Sequence, residues 1–209
     1  MAARNEDRSM LNAPNEAAEG SDASFAPESL RRATSDGFAR ACRFLHGLRL
    51  DTGGFRFGPF HDPERWPSMV LPGTYNAVMA LRLLGHPFQE RDRDLHAAAI
   101  RSFESHGGIF RMPQMTPETI FKRDDPAETR NYVDFHVTNY ALGGLEALDR
   151  LLPLDLGFVQ PFLDTASLHA WLGRRDLRDP WLEGNNLVNL GSFLLLLATH
   201  GSAAKRPHQ

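Results

Sequence analysis

The chain has a single cysteine, Cys42, among its 209 residues. One thiol forms no intrachain disulfide and no Cys-x-x-Cys zinc site, and a reducing compartment is its expected setting. Charge excess is lacking as well. Lys and Arg number 23 against 26 Asp and Glu, for a formal net charge of −3, and the pI is near 6.3. Such a balance argues against nucleic acid or an anionic membrane as the main partner. The longest apolar run, Phe193 to Ala198, falls far short of the roughly 18 residues a spanning helix needs. No segment of any length alternates with the strand period. Nor is there a Gly-x-Ser-x-Gly, a P-loop or a dinucleotide fingerprint. The stretch 1–27 is polar, has no apolar run and therefore is not a signal peptide. It reads as a disordered tail on a cytoplasmic protein.

What the chain does contain is one sentence stated twice. The first copy is Gly53-Gly54-Phe55-Arg56, an irregular stretch, then Thr74-Tyr75-Asn76-Ala77, continuing to Leu84-Gly85. The second is Gly107-Gly108-Ile109-Phe110-Arg111, a longer irregular stretch, then Thr138-Asn139-Tyr140-Ala141, continuing to Leu148. The helix starts Thr74 and Thr138 lie 64 residues apart, as do Ala77 and Ala141, and Leu81 and Leu145. A period of this size marks a supersecondary unit that is copied and stacked.

Apolar spacing predicts six helices, over 29–48, 74–84, 92–105, 132–151, 158–172 and about 179–199. Thr74 reads as an N-cap, and Gly85 as the residue after the helix, with Pro87 as a stop. Asp179-Pro180 reads as a cap followed by a first-turn proline. The proline-rich stretches 55–69 and 112–130 read as loops. A third, weaker copy spans 164–197, with Asp179-Pro180-Trp181 in place of the Gly-Gly-Phe turn. The organisation expected is a tail at 1–27, an αα-hairpin repeat domain at 28–200 and a frayed end at 201–209.

These residues resemble the repeat of the terpenoid cyclases and protein prenyltransferase β-subunits. The matching pattern is Gly-Gly-Phe followed by a Thr-Tyr-x-Ala-x-x-Ala-Leu-x-x-Leu-Gly helix. Glu128-Thr129-Arg130-Asn131-Tyr132 is similar to the acidic-x-Arg-x-Tyr segment before an inner prenyltransferase helix. The resemblance covers roughly 38–151. It implies an all-α fold of αα-hairpin repeats forming a partial (α/α) toroid, since a full ring takes about twice as many helices. It also implies a central pocket for an apolar or diphosphate-bearing ligand. The family's Asp-x-Asp-Asp acid is not matched, because the nearest segment is Lys122-Arg123-Asp124-Asp125. Its zinc ligands are not matched either, so no metal and no cofactor is expected. The arc could close by pairing with a second copy.

Two clusters carry the candidate chemistry. Asp134-Phe135-His136-Val137-Thr138-Asn139-Tyr140 sits at a helix start, with His136 and Tyr140 on one face. His136 and Asp134 are candidates for acid–base work, and Tyr140 for ligand binding. The bland alternative is a capping Asp with a His anchoring the preceding loop. The second cluster is Asp179 to Asn186. Here Glu183 is a candidate acid or base, and Trp181, Asn185 and Asn186 are candidate ligand contacts; the alternative is a helix N-terminus under a Trp lid. Asn185, Asn186 and Asn189 are poor helix formers and are expected to face a polar cavity or a partner. Arg56 and Arg111, equivalent after the two turns, are candidate anion contacts, with a scaffold role as the simpler reading. The acidic loop Glu118, Asp124, Asp125 and Glu128 interleaves with basic residues and reads as solvated.

Three functions stay open at this point. One is a cyclase- or prenyltransferase-like protein with an isoprenoid ligand, catalytic or merely binding. A second is a carbohydrate-active α/α enzyme (lyase, hydrolase or epimerase). The third is a non-catalytic helical interaction module.

Overall fold

The structure, a computed structural model, describes residues 28–114, 126–175 and 177–200. The tails expected at 1–27 and 201–209 lie outside the described residues, as does the part of the acidic loop carrying Glu118, Asp124 and Asp125. The chain divides into two compact units, 1–38 and 39–209. In the first, the described residues belong to the opening turns of helix α1 (Glu28–Gly47), with Phe38 exposed. In the second, α1 is followed by α2 (Val70–Leu83), α3 (Glu90–Arg101), α4 (Pro126–Ala147), α5 (Thr165–Gly173) and α6 (Pro180–His200). Short 3₁₀ turns precede α2 at Pro67–Met69, follow α3 at His106–Gly108 and precede α5 at Gly157–Leu163. Among the described residues the only strand-type pairings are two isolated bridges, Arg49 with Phe55 and Glu104 with Phe110.

The two Gly-Gly turns make the same bonds. Leu50 N–H donates to Gly54 O at 2.9 Å, and Ser105 N–H to Ile109 O at 2.7 Å. Arg56 N–H donates to Leu48 O at 2.8 Å, and Arg111 N–H to Phe103 O at 2.9 Å. In each copy the aromatic N–H then reaches across to a helix. Phe55 N–H donates to Thr74 Oγ1 at 2.9 Å, and Phe110 N–H to Thr138 Oγ1 at 3.0 Å. Both phenyl rings are fully buried, as are both threonines. Burying a Phe contributes about 1.5–3 kcal/mol, but only if its backbone N–H finds an acceptor on the way in.

That use of threonine corrects the expected helix starts. Thr74 is not an N-cap. Its hydroxyl donates to Val70 O at 2.6 Å, one turn back, and its oxygen accepts from the Phe55 turn. The helix begins at Val70 because Pro72 falls in the first turn, where its missing N–H has no intrahelical partner to lose. In the second copy α4 likewise starts well before Thr138, at Pro126. The expected fifth helix is broken. A 3₁₀ turn containing Pro161 ends at Leu163, and α5 restarts under Asp164, whose carboxylate accepts from Ser167 N–H at 2.8 Å.

The ends of α2 and α4 also match. After α2, Gly85 takes φ 70° and His86 N–H donates to Leu81 O at 2.9 Å. After α4, Asp149 takes φ 56° and Arg150 N–H donates to Leu145 O at 2.8 Å. Asp tolerates this left-handed conformation less well than Gly. Here its carboxylate holds the guanidinium groups of Arg82 and Arg93, which ties the end of α4 to α2 and α3.

Helices α2, α4 and α6 lie side by side, with α4 in the middle. Tyr75 meets Tyr140 (ring centroids 5.0 Å apart) and Arg82 meets Asp149 (3.3 Å), so α2 and α4 run parallel. Tyr132 meets Trp181 (5.4 Å) and His200 meets Glu146 (3.9 Å), so α4 and α6 run parallel too. Close approach rests on glycines. A Cβ on Gly73 would lie 2.6 Å from Phe55 O and 2.8 Å from Phe57 N, both backbone atoms. A Cβ on Gly143 would lie 3.0 Å from Tyr75 Cε2.

Gly73→Ala therefore forces α2 off the first turn. It is expected to lower the free energy of unfolding by about 1–3 kcal/mol in denaturant titration. Gly58→Ala, where a Cβ meets nothing within 4 Å, is expected to stay within about 0.5 kcal/mol of the parent.

Candidate functional site

Five rings cross the three parallel helices in sequence. Trp181 of α6 packs on Tyr132 of α4 at 5.4 Å. Tyr132 stacks on His136 at 5.5 Å, with 13° between planes, and His136 meets Tyr140 edge-on at 4.5 Å. Tyr140 meets Tyr75 of α2 at 5.0 Å. The spacing 132, 136, 140 keeps the α4 members on one helix face. Tyr75 and Tyr140 are not at equivalent repeat positions. The first copy reads Thr-Tyr-Asn and the second Thr-Asn-Tyr, and the two rings meet across α2 and α4. The row ranges from buried at Tyr132 to exposed at Trp181, with Tyr75, His136 and Tyr140 half-buried.

The electrostatics of the row favour neutral groups. Burial lowers the His136 pKa, so the ring is an uncharged imidazole at neutral pH. Burial also raises the Tyr132 hydroxyl, with Tyr140 adding to the effect, and raises Tyr140, with Tyr75 adding. Both phenols stay protonated. Among the described residues the contacts of His136 are to these rings, and no carboxylate is bonded to it. Such a surface offers π faces and hydroxyl donors.

The two candidate carboxylates are engaged elsewhere. Asp134 is buried and accepts Arg111 through both oxygens, Nη2 to Oδ2 at 2.9 Å and Nε to Oδ1 at 3.2 Å. That hydrogen bond raises the Arg111 pKa further. Two residues expected to act separately are thus each other's partners. The position equivalent to Asp134 in the first copy is Val70, and among the described residues exposed Arg56 has no ion pair. Glu183 is buried on α6. Its Oε2 accepts from Asn186 Nδ2 at 3.2 Å and lies 3.6 Å from Arg175 Nη1. The Arg175 guanidinium lies 4.6 Å from the centre of the Trp171 ring and is itself sealed from water. A buried pair of this kind holds one arrangement but adds little net stability, because both charges are desolvated.

The asparagines separate. Asn185 is half-buried, and its amide donates to Trp181 O one turn back. Asn186 and Asn189 are buried beside Glu183, where Asn186 Oδ1 and Asn189 Nδ2 have no hydrogen-bond partner among the described residues. Among the described residues no cluster of three or more His, Cys, Asp or Glu could hold a metal ion. No helix among them is long and apolar enough to cross a membrane.

The structure therefore brings His136, Tyr140 and Trp181 into one row and adds Tyr75 and Tyr132, which the sequence reading did not select. The repeat of aromatic residues at 132, 136 and 140 was the available signal. Glu183 and Asn186 fall in a separate buried cluster with Arg175, and Arg111 and Asp134 form a pair. Comparison of the chain with protein-family models, with curated proteins and with solved structures gives no match in any of the three.

The two equivalent arginines are expected to differ in their contribution to stability. Arg111→Ala leaves the buried Asp134 carboxylate unpaired and is expected to cost about 1–2 kcal/mol of stability. Arg56→Ala is expected to change stability by less than about 0.5 kcal/mol. Parallel urea titrations of the two variants check this, and equal losses would contradict it.

Proposed function

We propose that the chain is an open array of αα-hairpins of the terpenoid-cyclase and prenyltransferase type. In this reading it binds an apolar, isoprenoid-like chain along the aromatic row and does not turn it over. The observation that carries the proposal is the unbroken contact of five rings across three parallel helices. Apolar chains gain from burial against such rings, and the hydroxyls and imidazole at their edges fix orientation. The recurrence of the turn bonds, the helix ends and the parallel neighbours supports the hairpin-array part of the reading.

Binding without turnover follows from where the charges are. Asp134 and Glu183 are each held by an arginine, and among the described residues neither is bonded to a ring of the row. The same pairing weakens the carbohydrate-enzyme reading, which needs two carboxylates facing a substrate. It also bears on the ligand's polar end. Arg111, the basic residue beside the Asp134 turn of α4, is neutralised by its partner, so a diphosphate gains little there. The apolar chain supplies the affinity.

Thermal-shift and calorimetric titrations with farnesol, farnesyl diphosphate and a set of oligosaccharides test this. Farnesol and the diphosphate are expected to raise the melting temperature to a similar extent, and the oligosaccharides to leave it unchanged. Tyr140→Ala should weaken farnesol binding about tenfold, the loss of roughly 1.4 kcal/mol that a packed aromatic anchor provides. Stabilisation by the oligosaccharides alone, or farnesol binding indifferent to Tyr140→Ala, would overturn the reading.

A further inference from the structure

The outer face of α6 carries a pattern that the core does not use and that the aromatic row shares only at Trp181. Glu183, Asn186, Asn189, Leu190 and Phe193 form its buried face. The opposite face reads Trp181, Gly184, Val188, Gly191, Leu195 and Ala198. Those six positions alternate steps of three and four residues, the spacing of a seam that packs on another helix. Trp181 is 57% exposed, Val188 65% and Leu195 67%. A Cβ on Gly184 or Gly191 would meet nothing within 4 Å. The helix is inverted over its first half, with a carboxylate and two amides inside and apolar side chains outside. A helix that is apolar on its outer face is one that a second surface covers.

The order of sizes names the partner. Large and small residues alternate along the seam: Trp, Gly, Val, Gly, Leu, Ala. Read backwards, the series exchanges large for small at every position. An antiparallel second copy, related by a two-fold axis between Val188 and Gly191, sets every large side chain on a small one. Trp181 lies on Ala198 of the partner subunit, Val188 on Gly191 of the partner subunit, and Leu195 on Gly184 of the partner subunit. A parallel copy would set large on large and leave the glycines facing each other. Charge agrees with this, since the seam carries no ionised residue to repel itself or to select an acidic or basic partner.

We propose that α6 is a self-association surface that pairs two copies of the chain in antiparallel, two-fold fashion. The exposed apolar area is on the order of 400 Å² per copy, the size of a functional patch on an ordinary monomer. It is about half of the roughly 800 Å² per partner of a standard stable interface. The dimer is therefore a weak one that forms at micromolar or higher concentration. This inference stands apart from the ligand reading, and its tests avoid Trp181, which belongs to both surfaces.

Sedimentation velocity on the full chain, from about 1 to several hundred micromolar, is expected to show a concentration-dependent dimer. Val188→Glu and Leu195→Glu alter exposed positions, and both are expected to stay monomeric throughout with unchanged helical circular dichroism. The geometry is tested in a Cys42→Ser background. Gly184→Cys and Leu195→Cys, mixed and oxidised, should form a disulfide-linked dimer. Neither variant should do so alone, because like residues sit 11 positions, or roughly 16 Å, apart along an antiparallel pair. A wild-type chain that is monomeric at every concentration overturns the proposal and leaves the seam to residues 201–209 or to another surface. A dimer that survives Val188→Glu, or efficient cross-linking of a single variant, overturns it equally.

Discussion

Everything described here depends on a hydrogen bond made twice. An aromatic residue must enter the core at the end of a Gly-Gly turn, and it cannot enter with its backbone N–H unsatisfied. Phe55 and Phe110 each give that N–H to a threonine hydroxyl inside a neighbouring helix. The bond fixes the depth of the turn, the rotation of the helix about its axis and the line of contact between them. In the first copy Gly73 completes the fit, because only a residue without Cβ lets α2 lie on the backbone of 55–57. With α2 and α4 set by the same device, their rotations agree, and rings placed just beyond the two threonines meet. The aromatic row follows from the latch.

The third helix of the parallel set obeys a different logic. α6 has no Gly-Gly turn and no threonine acceptor. It docks through Phe193, which packs with Phe135 and Phe158, and through a polar group built on Glu183, Arg175 and Asn186. Putting those groups inside costs desolvation that an apolar face would avoid. What the arrangement specifies is orientation: α6 cannot rotate without stranding Glu183. The same constraint keeps the apolar seam outward and holds Trp181 against Tyr132, so one buried ion pair positions both the end of the row and the self-complementary face.

Much of this could be read from the residues and some could not. The helical class, the Gly-Gly turns and the Gly85 helix end are local matters of spacing and backbone freedom, and they are legible. The helix starts were not. Thr74 looks like a cap because threonine often is one. A proline in the first turn loses no bond, and a threonine inside a helix can serve another segment. Pro161 and Asp164 divide one expected helix into a 3₁₀ turn and α5 for equally local reasons that periodicity alone did not reveal. In the site, His136, Tyr140 and Trp181 were legible as chemistry-bearing types. The Arg111–Asp134 pair was not, because the two residues are 23 apart and it is the Phe110–Thr138 bond that brings Arg111 to α4. The inversion of α6 shows the same limit. Asn186 and Asn189 are expected at a polar cavity or a partner, but that they sit inside, beside Glu183, appears only once the fold places them.

The most direct test of the latch is amide hydrogen exchange in the native protein, read at Phe55 and Phe110. If the two bonds hold the turns to α2 and α4 as described, both amides exchange only through global unfolding, with the same protection as core amides such as Leu81 and Leu145. Exchange at either phenylalanine as fast as at the exposed loop residue Glu64 would contradict the account, because a turn that opens on its own cannot set the rotation of the helix beside it.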